Sequence, residues 1–308
     1  MKKTILILTS DPFSINYEII KKSQNFLKKK LHNKYLFIGD KKDVGDNIRK
    51  DNKLINFLNI KRDTNTKVYL KKCFELAFEL LKNKKAHGLI NLPLNKRFLP
   101  GNYPGFTECI ADAFNKKGKE TMLLYNPNFS VCPNTTHIKL KDVYKNFNQK
   151  KIITNINNIN NFYKNTLGVK RPLIGVMGMN PHSGMDFEKE TEEKNIINPA
   201  IKKLIKKKIR VIGPLVPDVA FNEIDKKNIN CLVGHYHDQV LPTFKYIHKY
   251  DAINITLGLP FLRISPDHGT ASNLKNKNLA NPESFIAALK FFEKNYKKIW
   301  KKNLVKIF

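Results

Sequence analysis

The sequence predicts an α/β protein with a mainly parallel sheet, divided into two lobes. Short β-rich apolar runs alternate with longer amphipathic segments along the chain, which is the pattern of α/β folds. With 308 residues, 41% of them hydrophobic, the chain can bury a substantial core, and chains of this size usually divide into lobes. Intrinsic disorder and a small disulfide-stapled scaffold are therefore excluded.

The predicted elements follow from local patterns. Short apolar runs bounded by Gly, Pro, Asn or Asp predict strands at residues 4–9, 35–39, 86–92, 121–125, 173–177, 210–212, 231–234 and 252–256. Apolar residues recur at helical spacing in 15–31, 67–82, 142–165, 189–207 and 282–300. The Asn-rich stretch 155–161 keeps its isoleucines on one helical face, so we interpret it as helix. We expect a crossover between the lobes near residues 130–165.

The charge of the chain is strongly positive, with 56 Lys+Arg against 26 Asp+Glu and a formal net charge of +30. A basic surface can condense on nucleic acid. However, only six of the basic residues are arginine, and the lysines are spread along the whole chain beside abundant Asn and Ile. Specific nucleic-acid recognition relies on Arg contacts and stacked aromatics. We therefore interpret the charge as compositional and predict no specific nucleic-acid partner.

Apolar runs and cysteines bear on the cellular location. The N-terminal apolar run, residues 4–9, is too short for a signal peptide, and no run reaches the roughly 18 residues needed to cross a bilayer. The four cysteines lie far apart, without the spacing of a zinc ribbon or a disulfide framework. We predict a cytoplasmic protein with reduced thiols and no membrane partner.

Polar segments follow several of the predicted strands, at residues 180–184, 234–239, 254–260 and 265–271. Open α/β sheets bind ligands just beyond their strand ends, so these segments predict an active-site wall. Histidines in or near such turns are candidate ligands for a divalent metal ion such as zinc, whose catalytic sites use three protein ligands. Spacing alone does not select three of the five candidates, His137, His182, His235, His237 and His268.

A dinucleotide site of the usual Rossmann type is disfavoured, because the sequence lacks a Gly-x-Gly-x-x-Gly fingerprint and the first βα turn, residues 10–15, has no glycine. The best alternative is the loop at residues 267–271. There Gly269 permits close approach of the backbone, and His268 could stack on the nucleotide or form a hydrogen bond with it. We predict cofactor contacts from His268, Gly269 and Thr270.

The motifs of the second half of the chain resemble those of a known family. They are His-Asp-Gln at 237–239, Leu-Pro at 241–242, Lys-Tyr at 245–246, Asn-Ile-Thr-Leu-Gly-Leu-Pro at 254–260, Arg263, and Asp-His-Gly-Thr-Ala at 267–271. With these motifs the chain resembles the 4-hydroxythreonine-4-phosphate dehydrogenase family of vitamin B6 biosynthesis, from Asp11-Pro12 to the last helix. That family is related to the isocitrate and isopropylmalate dehydrogenases.

The resemblance implies an architecture and an activity. It implies a two-lobed α/β/α chain over residues 1–308, with its active site in the cleft between the lobes and at the interface of a homodimer. It further implies oxidation of 4-phosphooxy-L-threonine by NAD or NADP with a divalent metal ion, zinc or alternatively magnesium or cobalt. The product, 2-amino-3-oxo-4-phosphooxybutanoate, would lose CO₂ to give 3-amino-2-oxopropyl phosphate.

Roles for single residues carry over from the family motifs. The metal ligands would be His137, His182 and His237. Two residues match family positions near the reacting centre, Asp218 and Lys96, and either could relay the hydroxyl proton. Substrate contacts would come from residues suited to a phosphate and a carboxylate, namely Thr107, Lys245, Asn254 and Arg263.

The chain departs from the family pattern in a few places. Phe106, in Gly-Phe-Thr-Glu at 105–108, replaces a substrate-binding histidine, and Lys96 and Arg97 are the nearby cations that could compensate. The first loop at 13–17 and the segments 185–187 and 272–275 also differ. Two alternatives therefore stand beside the first reading. One is a paralogue that oxidises a related phosphorylated hydroxy acid of the threonate or erythronate type, and the other is an inactive binding protein on the same fold.

Overall fold

A computed structural model describes residues 2–44 and 52–301, with side chains up to residue 295. The chain forms two compact units. Unit 1 comprises the described residues up to Lys117 together with residues 250–297, and unit 2 is formed mainly by residues 118–249. The chain therefore passes into unit 2 near residue 117 and returns to unit 1 near residue 250.

Unit 1 contains a mostly parallel sheet in the order β3-β2-β1-β4-β11-β10, in which only β10 runs antiparallel to its neighbour. The central strand β1 is bonded on both sides, with Ile5 opposite Tyr35 and Gly88. The strands are β1 (Thr4–Leu8), β2 (Lys34–Gly39), β3 (Ile55–Asn59), β4 (Gly88–Asn91), β10 (Ile253–Leu257) and β11 (Leu262–Pro266).

The helices of unit 1 cover this sheet with their apolar faces. They are α1 (Asn16–Lys22), α2 (Gln24–Leu27), α3 (Thr66–Lys82), α4 (Phe106–Ala113) and α10 (Glu283–Lys301). Asn65 caps the start of helix α3, because its side chain accepts hydrogen bonds from the backbone amides of Lys67 and Val68. Its buried face, which includes Phe74 and Ala77, packs on strand residues such as Leu6 in one continuous core.

In unit 2 the strands lie in the order β5-β6-β9-β7-β8. Strands β5 and β6 are antiparallel, and the remaining neighbours are parallel, so the carboxyl ends of β6, β9, β7 and β8 share one edge. The strands are β5 (Thr121–Tyr125), β6 (Ser130–Pro133), β7 (Ile174–Met177), β8 (Val211–Leu215) and β9 (Cys231–Gly234).

The helices of unit 2 are α5 (Val143–Asn146), α6 (Gln149–Phe162), α7 (Asn198–Lys206), α8 (Glu223–Lys227) and α9 (His237–His248). Helix α6 continues into a π-helical turn, Tyr163–Leu167, which ends at Gly168 with a φ of 77°. A second π-helical turn, Glu193–Ile197, leads into α7. Within the described residues, no helix is long and apolar enough to span a membrane.

The predicted α/β class with mainly parallel sheets is confirmed, and so is the helix through the Asn-rich stretch, because Ile152, Ile156 and Ile159 form the buried face of α6. The predicted helix at 15–31 was too long. It is interrupted at Ser23, whose hydroxyl bonds back to the Ile19 carbonyl at 2.8 Å. The predicted helix at 142–165 is likewise divided, between α5 and α6, whereas the one at 189–207 forms a continuous run from the π-helical turn into α7. The prediction missed strands β3, β6 and β11 and helices α4, α8 and α9.

Candidate functional site

Two of the three predicted metal ligands lie together at the carboxyl edge of the unit 2 sheet. His137 follows β6 and His237 begins α9 after β9, and these two strands are parallel neighbours. Their pairing continues past the strand ends, because the Asn134 amide donates to the Gly234 carbonyl at 2.8 Å. As a result the rings of His137 and His237 lie 5.7 Å apart, centroid to centroid.

The third predicted ligand, His182, lies in the turn after β7 and adopts a left-handed backbone with a φ of 49°, as does Ser183 at 56°. Such conformations cost of order 1–3 kcal/mol in residues other than glycine and persist only where the surroundings impose them. Here Glu193 imposes the turn. Its carboxylate accepts hydrogen bonds from the amides of Met179 at 2.7 Å and Asn180 at 2.9 Å.

Glu193 is almost fully buried, with a relative exposure of 2%. Burial alone would raise the pKa of its carboxyl group, but the hydrogen bonds from Asn180 and the backbone outweigh burial and hold the pKa below its usual value. Gly184 is required beside it, because a Cβ atom there would lie 2.6 Å from a Glu193 oxygen. The sequence analysis did not identify Glu193, and nothing local in the sequence distinguishes it from the other glutamates of that segment.

Two of the candidate ligands carry the second contact that metal-binding histidines usually have. Nδ1 of His182 pairs with the Asp186 carboxylate, and Nδ1 of His237 lies 2.6 Å from Asp238 Oδ1. A carboxylate on Nδ1 orients the ring and leaves Nε2 for a metal ion. The hydrogen bond to Asp186 and the charge of Asp186 raise the pKa of His182, with a further contribution from Asp218.

The three side chains thus fit a divalent ion in type, and the contacts of His182 and His237 suit coordination. Among the described residues of a single chain, no group of three or more His, Cys, Asp or Glu side chains is placed to hold a metal ion. The structure pairs His137 with His237, and it places Asp218 close enough to His182 for its charge to act on that ring.

Lys245, a predicted substrate contact, also belongs to unit 2. It lies on α9 about two turns after His237. Tyr246 next to it is 84% exposed. Unit 2 therefore contributes the predicted ligands, Asp218 and one predicted substrate lysine.

Arg263 is the centre of the predicted substrate residues in unit 1. It lies on β11 with only 3% of its surface exposed. Its Nε donates to Asn91 Oδ1 at 2.6 Å, and its Nη1 donates to Thr256 Oγ1 at 2.9 Å and to Thr107 Oγ1 at 3.3 Å. The Phe106 ring lies against the guanidinium, 5.4 Å from its central carbon to the ring centroid. The structure therefore brings Thr107 and Arg263 together.

The charge of Arg263 has no carboxylate directly on it, since no described carboxylate lies within ion-pair distance of the guanidinium. Burial lowers the pKa of Arg263 to about 10, although the negative charge of Glu108 acts to raise it. The guanidinium therefore remains protonated at pH 7. A buried cation held only by neutral oxygens is costly unless an anion joins it. This arrangement suits recognition of a phosphate or a carboxylate.

Asn254 supplies a second unsatisfied group in unit 1. It lies on β10 opposite Ser265 of β11, and its Oδ1 atom is buried without a hydrogen-bond partner among the described residues. An unsatisfied buried acceptor costs about 1–3 kcal/mol. A hydroxyl or amino group of a ligand would satisfy it.

Phe106 faces the core of unit 1. Its ring centroid is 5.3 Å from that of Phe74 and 6.4 Å from that of Phe78. Arg97, which the sequence nominated as a compensating cation, lies over the Phe98 ring at 4.6 Å. Lys96 is exposed in the turn after β4.

The loop predicted to bind the cofactor packs on the first βα turn, because the Ile15 amide donates to the Thr270 carbonyl at 3.2 Å. Gly269 faces open space, since a Cβ atom there would meet nothing within 4 Å. The His268 ring nitrogen Nδ1 lies 2.9 Å from the Gly269 carbonyl oxygen.

A cavity of about 390 Å³ opens beside this turn, between the β1–α1 loop and residues 275–278. Its walls carry cations, among them Lys21 and Lys275, and three buried oxygens without a partner among the described residues. These oxygens are Asn16 Oδ1, Glu18 Oε2 and Asp43 Oδ2. Such a mixture of acceptors and cations suits the hydroxyl and phosphate groups of a nucleotide.

His235, one of the five candidate histidines, is not placed to bind a ligand. It is fully buried, and its Nε2 lies 2.6 Å from the Met177 carbonyl oxygen while its Nδ1 lies 3.1 Å from Asn134 Nδ2. Burial lowers its pKa to about 4, so the ring is neutral. The sequence could not separate it from His237, two residues away.

Comparison with known proteins supports the resemblance. The family model for pyridoxal phosphate biosynthetic protein PdxA matches residues 10–292. A 4-hydroxythreonine-4-phosphate dehydrogenase of Sulfurihydrogenibium sp. (strain YO3AOP1) is 35% identical over an alignment that covers 92% of this chain and 96% of that protein. A D-threonate 4-phosphate dehydrogenase of Pectobacterium atrosepticum is 34% identical over 221 residues, covering 71% of this chain and 67% of that protein.

Solved structures agree with this assignment. The 4-hydroxythreonine-4-phosphate dehydrogenase of Klebsiella pneumoniae has a TM-score of 0.77 at 28% identity and covers 94% of this chain and 98% of its own. Isocitrate dehydrogenase of Methylococcus capsulatus, with a TM-score of 0.55 at 10% identity over 95% and 85% of the two chains, shares the fold alone and confirms the predicted fold class. The chain is thus an enzyme of the dehydrogenase type and belongs to the PdxA family of pyridoxal phosphate biosynthetic proteins.

Proposed function

We propose that this enzyme oxidises 4-phosphooxy-L-threonine to 2-amino-3-oxo-4-phosphooxybutanoate with NAD or NADP and a divalent metal ion, in pyridoxal 5'-phosphate biosynthesis. The observation that carries the proposal is the buried guanidinium of Arg263, which is held by neutral oxygens and is ready for an anion. The match to a 4-hydroxythreonine-4-phosphate dehydrogenase over 92% of the chain supports the choice of substrate.

The substrate carries a phosphate, a carboxylate, an amino group and the hydroxyl that reacts. Arg263 and Lys245 would bind the two anionic groups, because cations form the strongest hydrogen bonds with phosphate and carboxylate oxygens. Thr107 and Asn254 would fix the orientation, and the unsatisfied Asn254 Oδ1 suits the amino group or a hydroxyl.

Oxidation moves a hydride from the hydroxyl-bearing carbon to the nicotinamide ring, while the hydroxyl proton passes to a base. Asp218 and Lys96 both remain candidates for that base. A carbonyl then stands β to the carboxylate, so the C–C bond to the carboxylate can break. CO₂ leaves, and a proton replaces it on the carbon of 3-amino-2-oxopropyl phosphate.

His137, His182 and His237 would hold the divalent ion, zinc or alternatively magnesium or cobalt. When bound, such an ion lowers the pKa of a coordinated hydroxyl and stabilises negative charge on its oxygen. The carboxylates on Nδ1 of His182 and His237 support this role, because they orient each ring for coordination through Nε2.

We further propose a homodimer whose active site lies at the interface. Two observations support it. No set of three ligands forms within the described part of one chain, so a second copy could complete the set. Moreover, large apolar side chains close in sequence to the three histidines are exposed, and exposed apolar patches mark interfaces. They are Leu140, Tyr144, Met185, Phe187 and Tyr246.

The nucleotide would bind at His268, Gly269 and Thr270 and extend into the adjacent cavity of about 390 Å³. Both NAD and NADP remain open, because the cavity walls present carboxylates suited to a ribose diol and cations suited to a phosphate. We propose a cytoplasmic location, and no specific nucleic-acid or membrane partner.

A phosphorylated hydroxy acid of the threonate type is the second candidate substrate, because the Pectobacterium relative is named for D-threonate 4-phosphate. The test is NADH or NADPH formation with 4-phosphooxy-L-threonine, and in parallel with D-threonate and D-erythronate 4-phosphates. Each assay is run with added zinc and again after chelation. Metal-dependent turnover of the threonine phosphate alone supports the proposal. If the enzyme prefers D-threonate or D-erythronate 4-phosphate, that compound is the substrate instead of 4-phosphooxy-L-threonine. No turnover with any of the three compounds would indicate an inactive binding protein.

A further inference from the structure

A line of buried polar side chains crosses the core of unit 2. Thr121 Oγ1 donates to Asn155 Oδ1 at 2.7 Å, and Asn155 Nδ2 donates to Asn134 Oδ1 at 2.8 Å. Asn134 Nδ2 then meets His235 Nδ1 at 3.1 Å, and His235 Nε2 meets the Met177 carbonyl at 2.6 Å. We call Thr121, Asn155, Asn134 and His235 the polar line. Each member is at most 2% exposed.

The polar line has one consistent direction of donation. The Met177 carbonyl can only accept, so the proton of His235 is on Nε2 and its Nδ1 accepts. Asn134 must then present its amide nitrogen to His235 and its oxygen to Asn155. Asn155, Asn134 and His235 make these side-chain contacts only in this arrangement, so the loss of one of them leaves a polar atom of its neighbour buried and unpaired. Thr121 has a further partner, because its Oγ1 also accepts from Asn158 Nδ2 at 2.9 Å.

Two members of the polar line are close in sequence to two candidate metal ligands. Asn134 is three residues before His137, and His235 is two residues before His237. The same segments are also joined through their backbones, because the Thr135 amide and hydroxyl both donate to the His235 carbonyl, at 3.1 and 2.8 Å. The polar line therefore fixes the spacing between the carboxyl ends of β6 and β9, on which the 5.7 Å separation of the two rings depends.

Gln239 connects the same region to the segment that carries His182 through two hydrogen bonds. Its Oε1 accepts from the His235 amide at 2.7 Å, and its Nε2 donates to the Gly178 carbonyl at 2.8 Å. Gly178 lies four residues before His182. The end of β9 is thus tied to the end of β7 as well as to the end of β6.

We propose that Asn134 and His235 are positioning residues, which hold the rings of His137 and His237 at the spacing that a shared divalent ion requires. This inference rests on the proposed metal-dependent function and deepens it. An apolar pair at these two positions could fill the same space in the core, but it would not set a single register for the two loops.

The test is the zinc affinity of the full-length protein, measured without substrate by competition with a chromophoric chelator. His235→Met and Asn134→Val should each weaken zinc binding at least about tenfold, as loss of outer-shell partners does at other sites. His235→Gln, which keeps a donor and an acceptor, should recover part of the loss. Leu204→Ala, in the core of unit 2 on α7 and fully buried, serves as the control for general destabilisation. It should leave zinc affinity within about twofold.

The double variant Asn134→Val/His235→Met should have the same zinc affinity as the single variant with the lower affinity, because the two residues act as one unit. A folded His235→Met variant with wild-type zinc affinity would overturn the inference, as would an equal loss in Leu204→Ala. If the variants do not fold, nitrogen NMR of ¹⁵N-histidine-labelled wild-type protein still decides. His235 should carry its proton on Nε2, toward the Met177 carbonyl, and a proton on Nδ1 instead would refute the polar line.

The outcomes separate this inference from the proposed reaction. A wild-type protein that binds zinc through His237, as shown by loss in His237→Ala, but oxidises none of the substrates would contradict the reaction and leave the positioning roles intact. Normal turnover with unchanged zinc affinity in His235→Met would contradict the positioning roles and leave the proposed reaction intact.

Discussion

Phe106 offers the sharpest test of how unit 1 is built around Arg263. Its ring is 8% exposed and lies between the Phe74 ring at 5.3 Å and the Arg263 guanidinium at 5.4 Å. The perturbation is Phe106→His, which restores the residue that the family pattern has at this position. Phe106→Leu is the matched control, because it keeps an apolar side chain of similar volume but removes the aromatic ring.

The magnitude follows from these contacts. The change to histidine loses most of an apolar burial worth about 1.5–3 kcal/mol and an aromatic contact worth about 0.5–1.5 kcal/mol. It also replaces a cation–π contact, worth about 0.5–2 kcal/mol, by a polar ring beside a cation. Allowing for the contacts that imidazole keeps, we expect Phe106→His to destabilise the protein by about 2–4 kcal/mol and Phe106→Leu by about 1–2 kcal/mol.

Urea unfolding followed by circular dichroism at pH 8, where imidazole is neutral, measures both losses, provided that the dependence on urea is unchanged. The apparent KM for the phosphorylated substrate is measured alongside. Since Phe106 supports Arg263 from the core side, we expect KM to rise in both variants. A Phe106→His variant as stable as the wild type, with a lower KM, would refute this account and show instead that the phenylalanine is a simple loss of a phosphate donor.

The other predictions concern the metal, the assembly, the surface and the C-terminal helix. His182→Ala should abolish metal-dependent turnover without changing the unfolding midpoint, and full activity with full metal content would contradict the ligand assignment. Mixed with His237→Ala protomers, it should regain some activity if the ligands come from two chains, whereas size-exclusion chromatography showing a fully active monomer would exclude a shared site. Duplex DNA should bind weakly and dissociate with added salt, and sequence-dependent binding at physiological salt would contradict the compositional origin of the charge. Glu293→Gln should destabilise the protein by about 1–3 kcal/mol at pH 7, because its carboxylate accepts from the His32 amide, Asn33 and Tyr35. Burial alone would raise the pKa of Glu293, but these hydrogen bonds outweigh burial and lower it. The stabilisation from the Glu293 carboxylate is therefore complete above the ordinary glutamate pKa of about 4.3, and it is lost as the pH falls through the lower pKa of the folded protein. The gap between wild type and Glu293→Gln in urea titrations should therefore close in acid, and a constant gap would refute the assignment.

The sequence by itself determined the fold class, and it indicated the segments that carry the candidate site residues. Both follow from local patterns, because the periodicity of apolar residues reports which face of an element is buried. The Asn-rich stretch shows the strength of this signal, since its spaced isoleucines predicted α6 correctly despite poor helix formers between them. The family motifs added the identities of the candidate ligands.

Only the tertiary structure decided which of these residues meet. Strands β6 and β11 are short and carry polar or proline residues, so they form because neighbouring strands pair with them rather than because of their own pattern. His235 and His237 are almost indistinguishable in sequence, yet the first is buried on the Met177 carbonyl while the ring of the second lies beside that of His137. Burial and pairing of this kind depend on residues tens of positions away, and a local pattern contains no information about them.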